Sequence, residues 1–157
     1  TFLYDFISEQ IDEENDTYAH ELLDDFETYL VDNKWFKLLR IRLCDHNKII
    51  QKLIENVIEE HLTDLDLSYN LELLSILTEK GHDTLFRFII KQTLPLIKQE
   101  EDFQDLLVIA IDYFHQLDKE KEEMILKKIL EKHIQLSPQK TIPSDDFDFS
   151  TLELILR

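Results

Sequence analysis

The stretch HLTDLDLSYNLELL, residues 61–74, sets oxygen-bearing side chains at alternate positions, Asp64, Asp66, Ser68 and Asn70. Alternating oxygens begin an EF-hand calcium loop, which takes ligands at positions 1, 3, 5 and 12 around a glycine at 6. Counted from Asp64, the glycine position holds Tyr69 and the last position holds Ser75, so the bidentate glutamate is missing and the coordination falls two oxygens short. The stretch therefore reads as a connection between helices. Asp64, Asp66 and Ser68 serve as turn and cap residues, with Ser68 as the cap of the next helix.

Six histidines raise the question of a metal. Helical bundles build di-iron centres from Glu-x-x-His pairs. Only Glu79 and His82 have that spacing and Gly81 interrupts them; Asp112 and His115 give a weaker version, and HExxH does not occur. No metal or cofactor is expected, and each histidine taken separately reads as a surface or cap residue. Cys44 as a nucleophile would need a positioned base, but His46, two residues on, does not share its helix face. It reads as a small core hydrophobe. The 34 acids make chance carboxylate pairs unavoidable, and only a perturbed pKa in a pocket would single one out. No catalytic residue is assigned, and the chain reads as non-enzymatic.

Gly81 is the only glycine among 157 residues. Phosphate cradles and tight hairpins take their positive φ angles from glycine. GxGxxG, GxxxxGK[ST] and GxSxG cannot be written with one, nor can Asn-Gly hairpins, and the surviving class is all-α. A composition 43% hydrophobic and 32% charged supplies a core without a disorder signature. The length fits one domain over 1–157. A lone cysteine is compatible with a reducing compartment, and neither a signal peptide nor an 18-residue apolar run occurs, so an intracellular, cytoplasmic protein is expected, a nuclear one not being excluded. The helical pattern is still running at Arg157, so the chain is read as a possible segment of something longer.

Apolar residues recur at helical spacing along nearly the whole chain, and about nine antiparallel helices are expected. They run over 2–12, 16–31, 34–43, 45–61 (capped by Asp45), 68–80 (closed by Gly81), 83 to about 99 (kinked at Pro95), 102–117 and 119–136, with a final helix after a loop or tether at 137–149. Before that last helix Ser150 and Glu153 have capping-box spacing, with Phe149 and Leu154 as the staple.

A shift of 36 residues carries Ile49, Ile50, Leu53, Ile54 and Ile58 onto Leu85, Phe86, Ile89, Ile90 and Leu94, and a second shift reaches Ile125, Leu126, Ile129 and Leu130. The intervening helices align as well, Leu71, Leu73, Leu74 and Leu77 falling on Leu107, Ile109, Ala110 and Tyr113; Val57 onto Thr93 and the positions of Lys121 and Glu122 break the pattern. Over residues 45 to about 136 this period resembles HEAT and armadillo-type α-solenoids, although none of their residue motifs is present. The resemblance implies a binding scaffold without catalysis; an irregular helical bundle of uniform helix length gives a similar period.

Residues 1–33 hold eleven of the 34 acids and no lysine or arginine, on a chain of net charge −17. The basic helix KWFKLLRIR follows at once. Nucleic-acid affinity requires the opposite balance, so another protein, one with a basic surface, is the expected partner, and neither nucleic acid nor a membrane is. Asp24, Asp25 and Glu27 are the candidate docking acids, against the plainer reading of a solvated face. Trp35 is a candidate anchor between Lys34 and Lys37. In SDDFDFS, residues 144–150, Phe147 is a further candidate contact, because acids alternating with aromatics suit a short docking segment. The leading function is a non-catalytic helical interaction domain. The alternative is an acidic immunity- or inhibitor-type protein that neutralises a basic partner.

Overall fold

The computed structural model describes residues 2–30, 34–44, 52, 54–56, 59, 66–81 and 83–157. Among them the fold is all-helical: nine α-helices, one 3-10 turn and no strand beyond an isolated bridge between Gln99 and Thr141. No helix among the described residues is long and apolar enough to cross a membrane. The expected helix over 45–61 lies outside the described residues except for a few positions, of which Ile54 is fully buried; His46, Asp64 and His82 lie outside them too. Within the span 1–157 the contacts group into two compact units, Thr1–Leu65 and Asp66–Arg157.

The first unit contains α1 (Phe2–Asp12), α2 (Asp16–Asp25), α3 (Glu27–Leu30) and α4 (Lys34–Leu43). Leu3, Tyr4, Ile7 and Ile11 repeat at helical spacing on α1, and α1 packs on Ala19 and Leu23 of α2 and on Phe36, Leu39 and Leu43 of α4. Arg42 ties this core to the acidic helices. One of its amines donates to Ser8 Oγ at 2.9 Å and the other to Asp12 Oδ1 at 2.5 Å. The single helix expected over 16–31 is interrupted at Phe26, whose backbone moves to φ −99° and ψ 5°.

The second unit contains α5 (Leu67–Lys80), α6 (Asp83–Thr93), a 3-10 turn at Leu94–Leu96, α7 (Glu100–Gln116), α8 (Glu120–His133) and α9 (Phe147–Leu156). The cap of α5 is Asp66 and not Ser68: the Asp66 carboxylate accepts from the Tyr69 amide at 3.2 Å, so the helix starts a residue earlier than expected. Gly81 closes α5 in the left-handed region at φ 75°. Pro95 has no amide hydrogen, and α6 ends at Thr93 and tightens into the 3-10 turn rather than running to Gln99 with a kink.

α5 and α6 form one helical hairpin and α7 and α8 a second, with α5 packed on α7 and α9 laid against α7 and α8. Residues early in α5 line clefts with residues early in α7, and late residues with late ones, so the first helices of the two hairpins run parallel. Phe86 of α6 stacks on Tyr113 of α7 with centroids 3.9 Å apart and planes 8° apart. The Tyr113 hydroxyl donates to Asp83 at the start of α6, and the Arg87 guanidinium lies over the same ring.

The segment before α9 folds back on the start of α7. That helix lacks a side-chain cap, and the loop supplies carbonyls instead: the amide of Glu100 donates to Lys140 O at 2.8 Å and that of Glu101 to Pro138 O at 2.9 Å. The Ile142 amide donates to Lys98 O. The expected capping box on Ser150 is replaced by Asp146, which accepts from the Phe149 amide at 3.0 Å. The loop therefore ends at Asp146, and Leu154 is 71% exposed and staples nothing.

Candidate functional site

The parallel packing of α5 and α7 leaves a groove between them in two continuous stretches that share Ser75 and Ile109. The larger, about 520 Å³, is lined by Ser68, Leu71, Glu72, Glu101, Asp102, Asp105 and Val108 in addition to those two. The smaller, about 300 Å³, continues along Thr78, Glu79, Asp112, His115 and Gln116. No lysine or arginine occurs among the described lining residues of either stretch. The larger holds four carboxylates, Glu72, Glu101, Asp102 and Asp105.

Helical spacing explains the placement. Asp102, Asp105 and Ile109 lie three and four residues apart, so they share one face of α7, while Phe103, Leu106, Leu107 and Ala110 turn into the core. Crowding leaves an electrostatic signature. Partial burial, and then the charge of Glu101, push the Asp102 carboxyl above its ordinary value. The Asp105 carboxyl rises for the same reasons, with Asp102 adding to Glu101. A cation entering the groove relieves that repulsion.

A second cluster is buried where α7, α8 and α9 meet. His133 is only 4% exposed. Its Nδ1 lies 2.8 Å from Glu100 Oε2 and its Nε2 2.7 Å from Asp148 Oδ2, and the ring stands edge-on to Phe103. Lys132 Nζ reaches the same Asp148 oxygen at 2.5 Å. Burial pulls the imidazole pKa down, but the two hydrogen bonds and carboxylate charges outweigh it and hold His133 above its ordinary value. Burial would raise Asp148; the hydrogen bonds from Lys132 and His133 overcome it and hold the carboxyl low.

His133, Asp146 and Asp148 bring three potential metal donors within 4.8 Å of one another. The imidazole and the Lys132 ammonium already supply the positive charge there, and a divalent ion would have to displace both. With both ring nitrogens engaged by buried carboxylates, His133 has no nitrogen left for proton transfer to a substrate.

The residues singled out in the sequence do not assemble into one site. Asp24 forms an ion pair with Arg40 at 2.9 Å, while Asp25 and Glu27 stand exposed with no cation against them among the described residues. Trp35 is half-buried and meets Tyr4 edge-on with centroids 5.8 Å apart. These four belong to the first unit. Phe147, in the second, is 82% exposed. Cys44 is half-buried.

The expectation that each histidine is a surface or cap residue fails at His133. It lies four residues beyond Ile129 and seven beyond Leu126, on the buried stripe of α8, and that spacing was readable in the chain. The α5/α7 groove had no such signal, because its acids become neighbours only through packing. Comparison of the chain with protein families, with curated proteins and with solved structures gives no match.

Proposed function

We propose that this chain is a non-catalytic helical interaction domain that takes a lysine- or arginine-bearing segment of another protein into the groove between α5 and α7. The observation that carries this reading is the crowding of Glu101, Asp102 and Asp105 along the α7 side of that groove, whose described lining holds no lysine or arginine, with Asp102 and Asp105 held above their ordinary pKa. Crowded carboxylates in a partly desolvated cleft are an electrostatic complement waiting for positive charge, and such complementarity sets partner choice and encounter rate. The parallel first helices of two successive hairpins support the α-solenoid-like reading of the 36-residue period, in which such grooves form between repeated helices.

The test is binding of a fluorescent oligo-arginine peptide to the full chain. Expected are a salt-dependent affinity and a loss of about tenfold or more in the Asp102→Asn/Asp105→Asn double variant, as for removal of close charge pairs across an interface. Binding equally tight in that variant would remove the groove from the proposal.

A second reading, an acidic inhibitor of a basic protein, is favoured by the first unit. Its exposed Phe2 stacks on Phe6, and Phe6 meets Tyr18 edge-on, among helices α1 to α3, which carry acids and no lysine or arginine. Neutralising Asp25 and Glu27 would weaken that partner's binding and leave the groove's peptide binding unchanged.

A further inference from the structure

In SDDFDFS, residues 144–150, the fold consumes half of the alternation and leaves the other half outside. Asp148 bonds to His133, and Phe149 is buried beside Phe103 with centroids 5.8 Å apart. Phe147 projects at 82% exposure, with Asp145 exposed two residues before it. Two turns along the same face of α9, Leu154 is exposed at 71%. A helix apolar on both faces is ordinarily covered on both.

Beside this knob lies an open groove of about 520 Å³ between the end of α6 and α9. Ile90, Leu94, Phe149 and Leu156 form its apolar floor, and Lys91 and Arg157 stand at its rim. Arg157 shares its charge with Glu153 at 3.0 Å. Lys91 has no acid against it among the described residues. On a chain of net charge −17 this lining, with Lys91 and Arg157 against the single acid Glu153, carries a local excess of one positive charge. Its complement is an aromatic ring flanked by carboxylates, which is what Asp145 and Phe147 present.

We propose that the groove and the Phe147 knob form a reciprocal docking surface for a second copy of this chain: Phe147 of each copy enters the groove of the other, and Asp145 meets Lys91 across the contact. Charge complementarity selects the occupant, and proximity selects the symmetry. Ser144 and Phe149, on either side of Phe147 in the chain, themselves line the groove. Knob and hole are therefore adjacent, and one two-fold axis beside the start of α9 satisfies both at once and closes the assembly at two. Covering a phenylalanine buries about 150–250 Å², so the pair falls in the small, transient class of interfaces. This contact is separate from the α5/α7 groove.

Sedimentation velocity on the full chain tests it, from about 1 µM to 1 mM, the range in which weak contacts of this size saturate. Salt near 0.15 M limits repulsion between the two acidic copies to about 8 Å. The expected result is a concentration-dependent monomer–dimer equilibrium, weakened about tenfold or more by Phe147→Ala as for loss of a central aromatic anchor. Lys91→Glu weakens it as well, and adding Asp145→Lys to that variant restores it. All three side chains are exposed, so far-ultraviolet circular dichroism stays unchanged in each variant. A wild-type chain that stays monomeric throughout, a dimer that Phe147→Ala leaves intact, or a charge swap that restores nothing would each overturn the proposal. So would a monomeric chain whose groove instead binds a free peptide of residues 143–150.

Discussion

Replacing His133 with leucine removes the shared donor of two buried carboxylates while keeping a side chain in place. Glu100 is 3% exposed and Asp148 7%, so neither gains water when the imidazolium leaves. Breaking a buried ion pair from one side costs about 3–5 kcal/mol. Lys132 still reaches Asp148, so most of the penalty falls on Glu100, and a loss near 3 kcal/mol is expected. In a unit of this size each kcal/mol moves the melting midpoint by about 4–8 °C, which places the variant more than about 10 °C below the wild type at pH 6.

The pH dependence follows from the directions of the shifts. His133 is held above the ordinary histidine value of 6.5, so its contribution is complete below that value and is lost as pH climbs through the higher folded one. Asp148 is held below 3.8, so its contribution exists above that value and disappears as pH falls through the lower folded one. The leucine variant therefore loses the alkaline limb of the stability profile. Thermal melts of the full chain followed by far-ultraviolet circular dichroism read the effect. A midpoint within about 2 °C of wild type at pH 6, well under the shift a kcal/mol produces, would refute the reasoning, as would an unchanged alkaline limb.

Gly81→Ala places a β-carbon at φ 75° with nothing within 4 Å of it, so the cost is backbone strain alone, about 1–2 kcal/mol by chemical denaturation. Phe86→Ala deletes a fully buried ring stacked on Tyr113 and is expected to cost about 3–5 kcal/mol, whereas Tyr113→Phe, which keeps the stack and loses one bond to the half-exposed Asp83, costs about 1 kcal/mol; denaturant midpoints separate the two. Because Asp102 and Asp105 titrate above the ordinary aspartate value, affinity for a cationic peptide is expected to fall with pH while ordinary aspartates are still ionised, a shift that titrations across pH 4 to 6 of wild type and the double asparagine variant detect.

Helix type and rough extent were legible because apolar residues repeat at 3.6 and because glycine is nearly absent; Gly81 marked a helix end as its backbone requires. Starts were less legible. At α5 and α9 an aspartate captured the cap that a nearby serine could have taken, since Asp66 and Asp146 each stand where the third amide beyond them falls within reach. The buried stripe of α8 pointed at His133, but the two carboxylates that meet it arrive from 33 residues before and 15 after, a distance no local pattern spans. Asp24 looked like a free docking acid in sequence and is paired with Arg40, because α4 packs its basic side beside α2.

The two backbone carbonyls that the last loop gives to the start of α7 govern the order of events at synthesis. Glu100 and Glu101 leave the ribosome about forty positions ahead of the groups that complete their hydrogen bonds, and Asp148 follows later still. Until then two amides in the first turn of the longest helix in the unit lack their folded-state acceptors, and His133 lacks one carboxylate of its two. A free chain ending at Ser137 is accordingly expected to be cut by protease at that turn, and one extending through Arg157 is not.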